Sequence, residues 1–184
     1  HVRAVHCDHR ASDEEVYTAL KRATDALQGS WDRLKSAKRI WLKFNQDWMR
    51  PPSMYEGNRQ ELVSDSVARA TLRLLRENTT AELLAADVSY FQFYGGAKDT
   101  TWLWPVFEEF GVAYVDWNQP PVAVTRVPGG GLMFDHYFLP EQFSPASGDG
   151  MVCIQKMKNH AYMGITLCLK NLFGLIPTEP LGRH

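Results

Sequence analysis

The chain has 184 residues, a formal net charge of −1 and six tryptophans. That length suffices for one domain with a sizeable core, and 45% hydrophobic with 22% charged residues argues for a folded globular protein over a disordered one. A near-neutral charge gives no basic field to draw nucleic acid, and no apolar run approaches the roughly 20 residues of a bilayer-spanning helix, so neither nucleic acid nor a membrane is expected as a partner.

The opening "VRAVHC" alternates imperfectly and reads as a first strand. Ser12 and Glu15 have capping-box spacing and start a helix, with Val16, Leu20, Ala23 and Leu27 on one stripe and Gly29 as its end. "KRIWLKFN" (38–45) is an apolar strand with a polar C-terminal end, and the Pro- and Gly-bearing stretch after it reads as a loop. Val63, Val67, Ala70 and Leu74 mark a second helix. "ADVSYFQFYGG" is β-rich, "TTWLWPVFEEFG" a short helix in which Pro105 sits near the first turn, and "VAYVDW" and "PVAVTRV" are short strands. A glycine turn at 129–131 leads to an aromatic segment, then to a last strand, "MVCIQKMK", and a final helix from about Ala161 to Phe173 closed by Gly174. Helices alternate with strands through most of the chain. The expectation is a single layered α/β domain over 1–184, Rossmann-like, its sheet largely parallel (mixed) and flanked by helices.

In open α/β sheets ligands gather beyond the carboxyl ends of the strands, which turns scattered polar residues into one candidate site. Lys43 and Asn45 end one strand. Gly95 and Gly96 end another and would admit a ligand close to the backbone. Lys156, Lys158 and His160 alternate on one side of the last strand, and a helix starting after His160 would add its N-terminal amides. The apolar final helix carries Lys170 and Asn171, with Thr166 one turn before Lys170; a buried lysine or asparagine requires partners. Together these groups suit an anion bearing phosphate or carboxylate. Each has a plainer reading: Lys170 capping the helix end, Lys156 and Lys158 as a solvated strand end, His160 as a structural histidine, Asn45 and the glycine pair as turn formers. "HCDH" (6–9) has metal-like spacing, but adjacent strand residues face opposite ways, and no metal site is expected. The three cysteines, Cys7, Cys153 and Cys168, form no CxxC pair. They fit reduced thiols in a cytoplasmic protein, with export by a removed leader also compatible, and they are too few for a four-cysteine cluster.

The run "KMKNHAYMGITLCLKNLFGLIP" closely resembles the signature of the domain of unknown function 362, K-x-K-[TN]-H followed by G-[VI]-T-L-x-L-K-N-L-F-G-x-x-P. Lys156, Lys158, Asn159, His160, Gly164, Thr166, Lys170, Asn171, Gly174 and Pro177 all fit it. "WLKFN" looks like the family's strand ending in K-P-N, with Phe44 in place of proline, and "ASDEEVYTALKRA" resembles its opening helix. Family members continue well past the position of His184, so the resemblance implies the N-terminal portion of a longer domain, truncated at the C-terminus. It also implies a link to redox chemistry through ferredoxin-like modules: a redox partner, and an iron–sulfur cluster elsewhere in a full-length protein and not in this chain.

The leading expectation is a domain that binds an anionic substrate or cofactor of unknown identity, as part of an iron–sulfur-linked oxidoreductase. His160 and Lys158 would be catalytic; Lys43, Asn45, Gly95, Gly96, Lys156, Thr166, Lys170 and Asn171 would bind the ligand. The alternatives are a non-catalytic anion-binding module and a structural domain with a buried lysine network.

Overall fold

Ser12 caps the first helix: its hydroxyl accepts from the Glu15 amide while the Glu15 side chain accepts from the Ser12 amide, and α1 runs Asp13–Thr24. The computed structural model describes residues 2–46, 51–88, 101–119, 121–143 and 148–177. Residues 2–7, expected as a strand, form none. Gly29 does not end the first helix but lies inside a second, α2 (Gln28–Ser36). The Trp31 indole there donates to the Thr24 carbonyl at 3.0 Å, a tie between the helices that outweighs glycine's poor helix propensity.

The remaining elements are β1 (Arg39–Phe44), β2 (Met54–Tyr55), β3 (Asn58–Arg59), α3 (Asp65–Asn78), β4 (Glu82–Asp87), α4 (Trp104–Phe110) and β5 (Ala113–Asp116). They are followed by β6 (Val122–Arg126), β7 (His136–Pro140), β8 (Gly150–Ile154), β9 (Lys158–His160), β10 (Gly164–Thr166), α5 (Cys168–Leu172) and a 3-10 turn, Phe173–Leu175. One four-stranded sheet has the order β5-β4-β1-β8, and every neighbouring pair in it is parallel. Among the described residues five α-helices flank it, as the alternating pattern predicts. Among the described strands antiparallel pairing is found in the two-stranded ladders β2–β3, β6–β7 and β9–β10. "PVAVTRV" is thus a strand, but it pairs with β7 instead of joining the parallel sheet. In the stretch read as a loop, Glu56 accepts from His9 and Arg10. Arg10 first and His9 second hold its carboxyl down to about 2, and the pairing ties the N-terminal arm to β2–β3.

Central strands of a parallel sheet are covered on both faces, and β1 shows it: every residue from Ile40 to Phe44 is buried. Ile40, Leu42 and Phe44 pack with Ala68, Leu72 and Leu75 of α3 and with Val106 and Phe107 of α4. Trp41 points the other way, into a second cluster with Leu84, Ala86, Trp117 and Leu175. By alternation Lys43 lies on the Trp41 face, the face covered by the C-terminal segment.

That segment departs most from expectation. The last strand of the sheet stops at Ile154, and residues 155–157 carry no strand. After His160 the chain turns back as β10 instead of starting a helix. His160 Nδ1 accepts from the Tyr162 and Met163 amides at 3.2 and 3.3 Å, and Gly164 takes a φ of 73° that favours glycine. These local bonds compete successfully with helix formation. The helix that follows spans only Cys168–Leu172, and it is not buried all round: Leu169 is 85% and Phe173 67% exposed.

Candidate functional site

From β1 the chain steps outward through β4 to β5, then returns to add β8 on the opposite flank of β1. The crevice beyond the carboxyl ends of β1 and β8 is therefore the topological switch point of the sheet, where open α/β folds take ligands. Two groups of side chains gather there.

The first is centred on Lys43. Its ammonium donates to Asp87 Oδ2 at 2.8 Å, to the Phe44 carbonyl at 2.9 Å and to Asn171 Oδ1 at 3.2 Å. Lys43 and Asp87 are each 4% exposed, so the pair is a buried one. The Asn171 amide nitrogen faces the Lys43 carbonyl at 3.2 Å, the Ile154 carbonyl at 3.3 Å and Cys153 Sγ at 3.1 Å. One side chain of α5 thus spans the ends of β1 and β8. Gly174 lies against the ion pair: a Cβ there would stand 2.6 Å from Lys43 Cε and 2.7 Å from Asp87 Oδ1. Its carbonyl accepts from the Val88 amide at 2.9 Å. Asn45, one residue past β1, donates its backbone amide to Ile154 and accepts from Val63, both at 2.9 Å, while its side-chain Oδ1 is buried without a partner.

The second group stands on β9, β10 and α5. Lys158 and Thr166 are directly opposite in the antiparallel ladder, which puts their side chains on one face. Lys158 donates to the Glu61 carbonyl in the chain leading into α3. Burial pulls the Lys158 ammonium below the ordinary lysine range; the Glu61 carboxylate opposes that shift, and the charge of Lys170 adds to it. Thr166 is 3% exposed, and its Oγ1 has no hydrogen-bond partner. Lys170 lies 5.3 Å from the centroid of the Phe173 ring, a cation–π contact. His160 shares the hairpin, but the two amides at Nδ1 commit that atom to the turn and leave the proton of the neutral ring on Nε2.

Of the ten residues singled out from the sequence, Lys43, Asn45, Lys158, Thr166, Lys170 and Asn171 converge on this end of the sheet. Thr166 does so from a strand opposite Lys158, not from a helical turn below Lys170. Lys156 departs from the set: it lines an open cleft of about 960 Å³ between the N-terminal arm, α1, α3 and β2–β3, with Arg3, Tyr55 and Gln155 among its neighbours. Since residues 155–157 are not strand, Lys156, Lys158 and His160 do not share one strand face. Gly95 and Gly96 lie outside the described residues. Sequence reasoning missed Asp87 and Cys153. A carboxylate closing the apolar run "ELLAAD" is a usable signal for Asp87; a half-buried thiol in β8 offers none. Among the described residues no three His, Cys, Asp or Glu side chains stand together as metal ligands, and no helix is long and apolar enough to cross a membrane.

Fold and site together define an open-sheet α/β domain with a polar cluster at its switch point. The chain belongs to the family described as Domain of unknown function (DUF362), which matches residues 40–184, from β1 onward. No curated protein and no solved structure matches the chain.

Proposed function

We propose that this domain binds a small anion bearing phosphate or carboxylate beyond the ends of β1 and β8, contacted by Lys158, Lys170 and the Thr166 hydroxyl. The observation that carries the reading is the Thr166 hydroxyl, buried without a partner opposite a lysine whose charge is disfavoured by burial and by a second lysine. An anion relieves both costs: its oxygens accept from the hydroxyl, and its charge offsets two ammonium groups that otherwise repel. His160 Nε2–H is the proton-bearing atom on the same hairpin and serves as a further donor. The proposal is one of binding alone.

A specific observation favours a different role for Lys43 and Asn171. Lys43 already has the Asp87 carboxylate as counter-charge, and Asn171 joins β1 to β8. This pair seats α5, and with it Lys170, on the sheet, which is the structural reading applied to part of the motif.

Isothermal titration of the protein with inorganic phosphate, pyrophosphate and citrate tests the proposal. At least one should bind saturably, and Lys158→Met or Lys170→Met should weaken it by about 10- to 100-fold, the worth of a charge-assisted hydrogen bond, with the melting temperature not lowered. Absence of saturable binding for all three anions, or variants that bind like the parent, would overturn it.

A further inference from the structure

The contacts that seat Asn171 also bring two cysteines together. Cys153 is in β8 and half-buried; Cys168 is the first residue of α5 and exposed. Asn171 reaches Cys153 Sγ at 3.1 Å, and Cys168 precedes it by three residues, the spacing that puts side chains on one helix face. The Cys153 thiol stands 3.8 Å from Gln155 Oε1 and 4.0 Å from the Cys168 carbonyl oxygen. A disulfide brings the two sulfurs to about 2 Å with a specific dihedral; a bond between them requires the exposed Cys168 side chain to turn toward Cys153. The third cysteine, Cys7, lies in the N-terminal arm beside the open cleft.

We propose that Cys168 and Cys153 form an oxidisable pair, with Cys168 the thiol attacked by a hydroperoxide and Cys153 the resolving thiol. The Cys168 thiolate attacks one peroxide oxygen; the O–O bond breaks, and the departing oxygen takes a proton and leaves as water or alcohol. Cys168 is then a sulfenic acid. Cys153 loses its proton and attacks the Cys168 sulfur; the S–S bond forms, the S–O bond breaks, and hydroxide leaves with that proton as water. The two cysteines have given up one electron pair, and the peroxide has taken it. The division of roles follows exposure and environment: burial pushes the Cys153 thiol up, the Asn171 amide draws it down, and Cys168 pushes it up further, so Cys153 is the less reactive of the two until a sulfenic acid forms beside it. The bond ties α5 to β8 and fixes Asn171 and Lys170 in place. It does not depend on whether an anion binds.

The test is brief treatment of the intact protein with near-stoichiometric hydrogen peroxide, alkylation of free thiols and non-reducing tryptic mapping. Cleavage at Lys156, Lys158 and Lys170 puts Cys153 and Cys168 on separate peptides, so the bond appears as a linked species that dithiothreitol removes, while Cys7 stays alkylated. In Cys153→Ala the sulfenic acid has no resolving partner, and dimedone labelling of Cys168 should rise roughly tenfold over the parent. In Cys168→Ser, an exposed change with no effect on melting temperature, the link is lost and Cys153 stays unlabelled at the same dose. Thiols that remain unlinked, a dominant link to Cys7, or equal dimedone labelling of Cys168 in parent and Cys153→Ala would each overturn the proposal.

Discussion

Lys43 illustrates how a buried charge is tolerated and what its loss should do. Its attraction to Asp87 is set against the desolvation of both groups, so the pair adds little net stability, but removing one partner strands the other in the interior. Lys43→Ala should therefore cost about 3–5 kcal/mol in urea denaturation, whereas Lys43→Met combined with Asp87→Leu should recover most of that. A single variant within about 1 kcal/mol of the parent, a value typical of surface pairs, would show that the pair is not the buried one its exposure indicates. The lysine itself was legible in the sequence as the polar end of an apolar strand. Its partner was not, because Asp87 is 44 residues away, and neither strand's alternation reveals which strand lies beside it. Only the parallel register, with Leu42 beside Ala85, brings the two ends level. The same limit applies to Thr166: its residue type drew attention in the sequence, but its neighbour, Lys158, becomes visible only once the hairpin is known.

At the scale of elements, the C-terminal segment shows why apolar content is an unsafe guide. "AYMGITLCLKNLF" reads as a buried helix if every apolar residue is assumed to be covered, yet Tyr162, Leu169 and Phe173 are among the exposed large side chains. Gly164 was a hairpin signal, and the two residues after it make only a fragment of a strand pattern, with Ile165 exposed and Thr166 buried against the usual order. These signals were too short to compete with a helix-length apolar run. What fastens the short α5 instead is close approach. Gly174 kinks the turn with a non-helical φ/ψ of −73° and 16°, but its φ is negative, so an alanine there meets no left-handed penalty; the obstacle is the ion pair its Cβ would enter. Gly174→Ala should destabilise the fold by roughly 1–3 kcal/mol, the usual cost of overpacking, as read from denaturant midpoints. Because Lys43 is held by three hydrogen bonds, it cannot swing aside cheaply. A variant with the parent's midpoint would mean that the turn at Phe173–Leu175 can lift off the sheet.

Across the whole molecule, the alternation of helices and strands was enough to anticipate a parallel sheet and to point to the carboxyl ends of its strands. The order β5-β4-β1-β8 was not readable, since placing β8 beside β1 depends on long-range pairing with no local signature. That placement is what makes the end of β1 a switch point and draws the family motif onto it. It also buries Lys158 partway against the chain entering α3, near Lys170, and the consequence is a measurable pH dependence. The folded protein holds the Lys158 proton less tightly than the unfolded chain, whose lysine keeps the ordinary value of 10.5. Between the lowered folded value and 10.5 the unfolded chain therefore binds more protons, and stability from this group rises with pH across that window. Lys158→Met removes the term, so the difference in unfolding free energy between parent and variant should shift in the parent's favour as pH climbs through it. A bound anion acts in the opposite direction on the same group. It stabilises the ammonium, raises the Lys158 value and makes binding consume protons, so affinity should fall as pH rises past the lowered value of the free protein. Calorimetry in two buffers of different ionisation enthalpy measures that proton uptake directly, and binding with no uptake in the parent, or the same uptake in Lys158→Met, would place the anion away from this lysine.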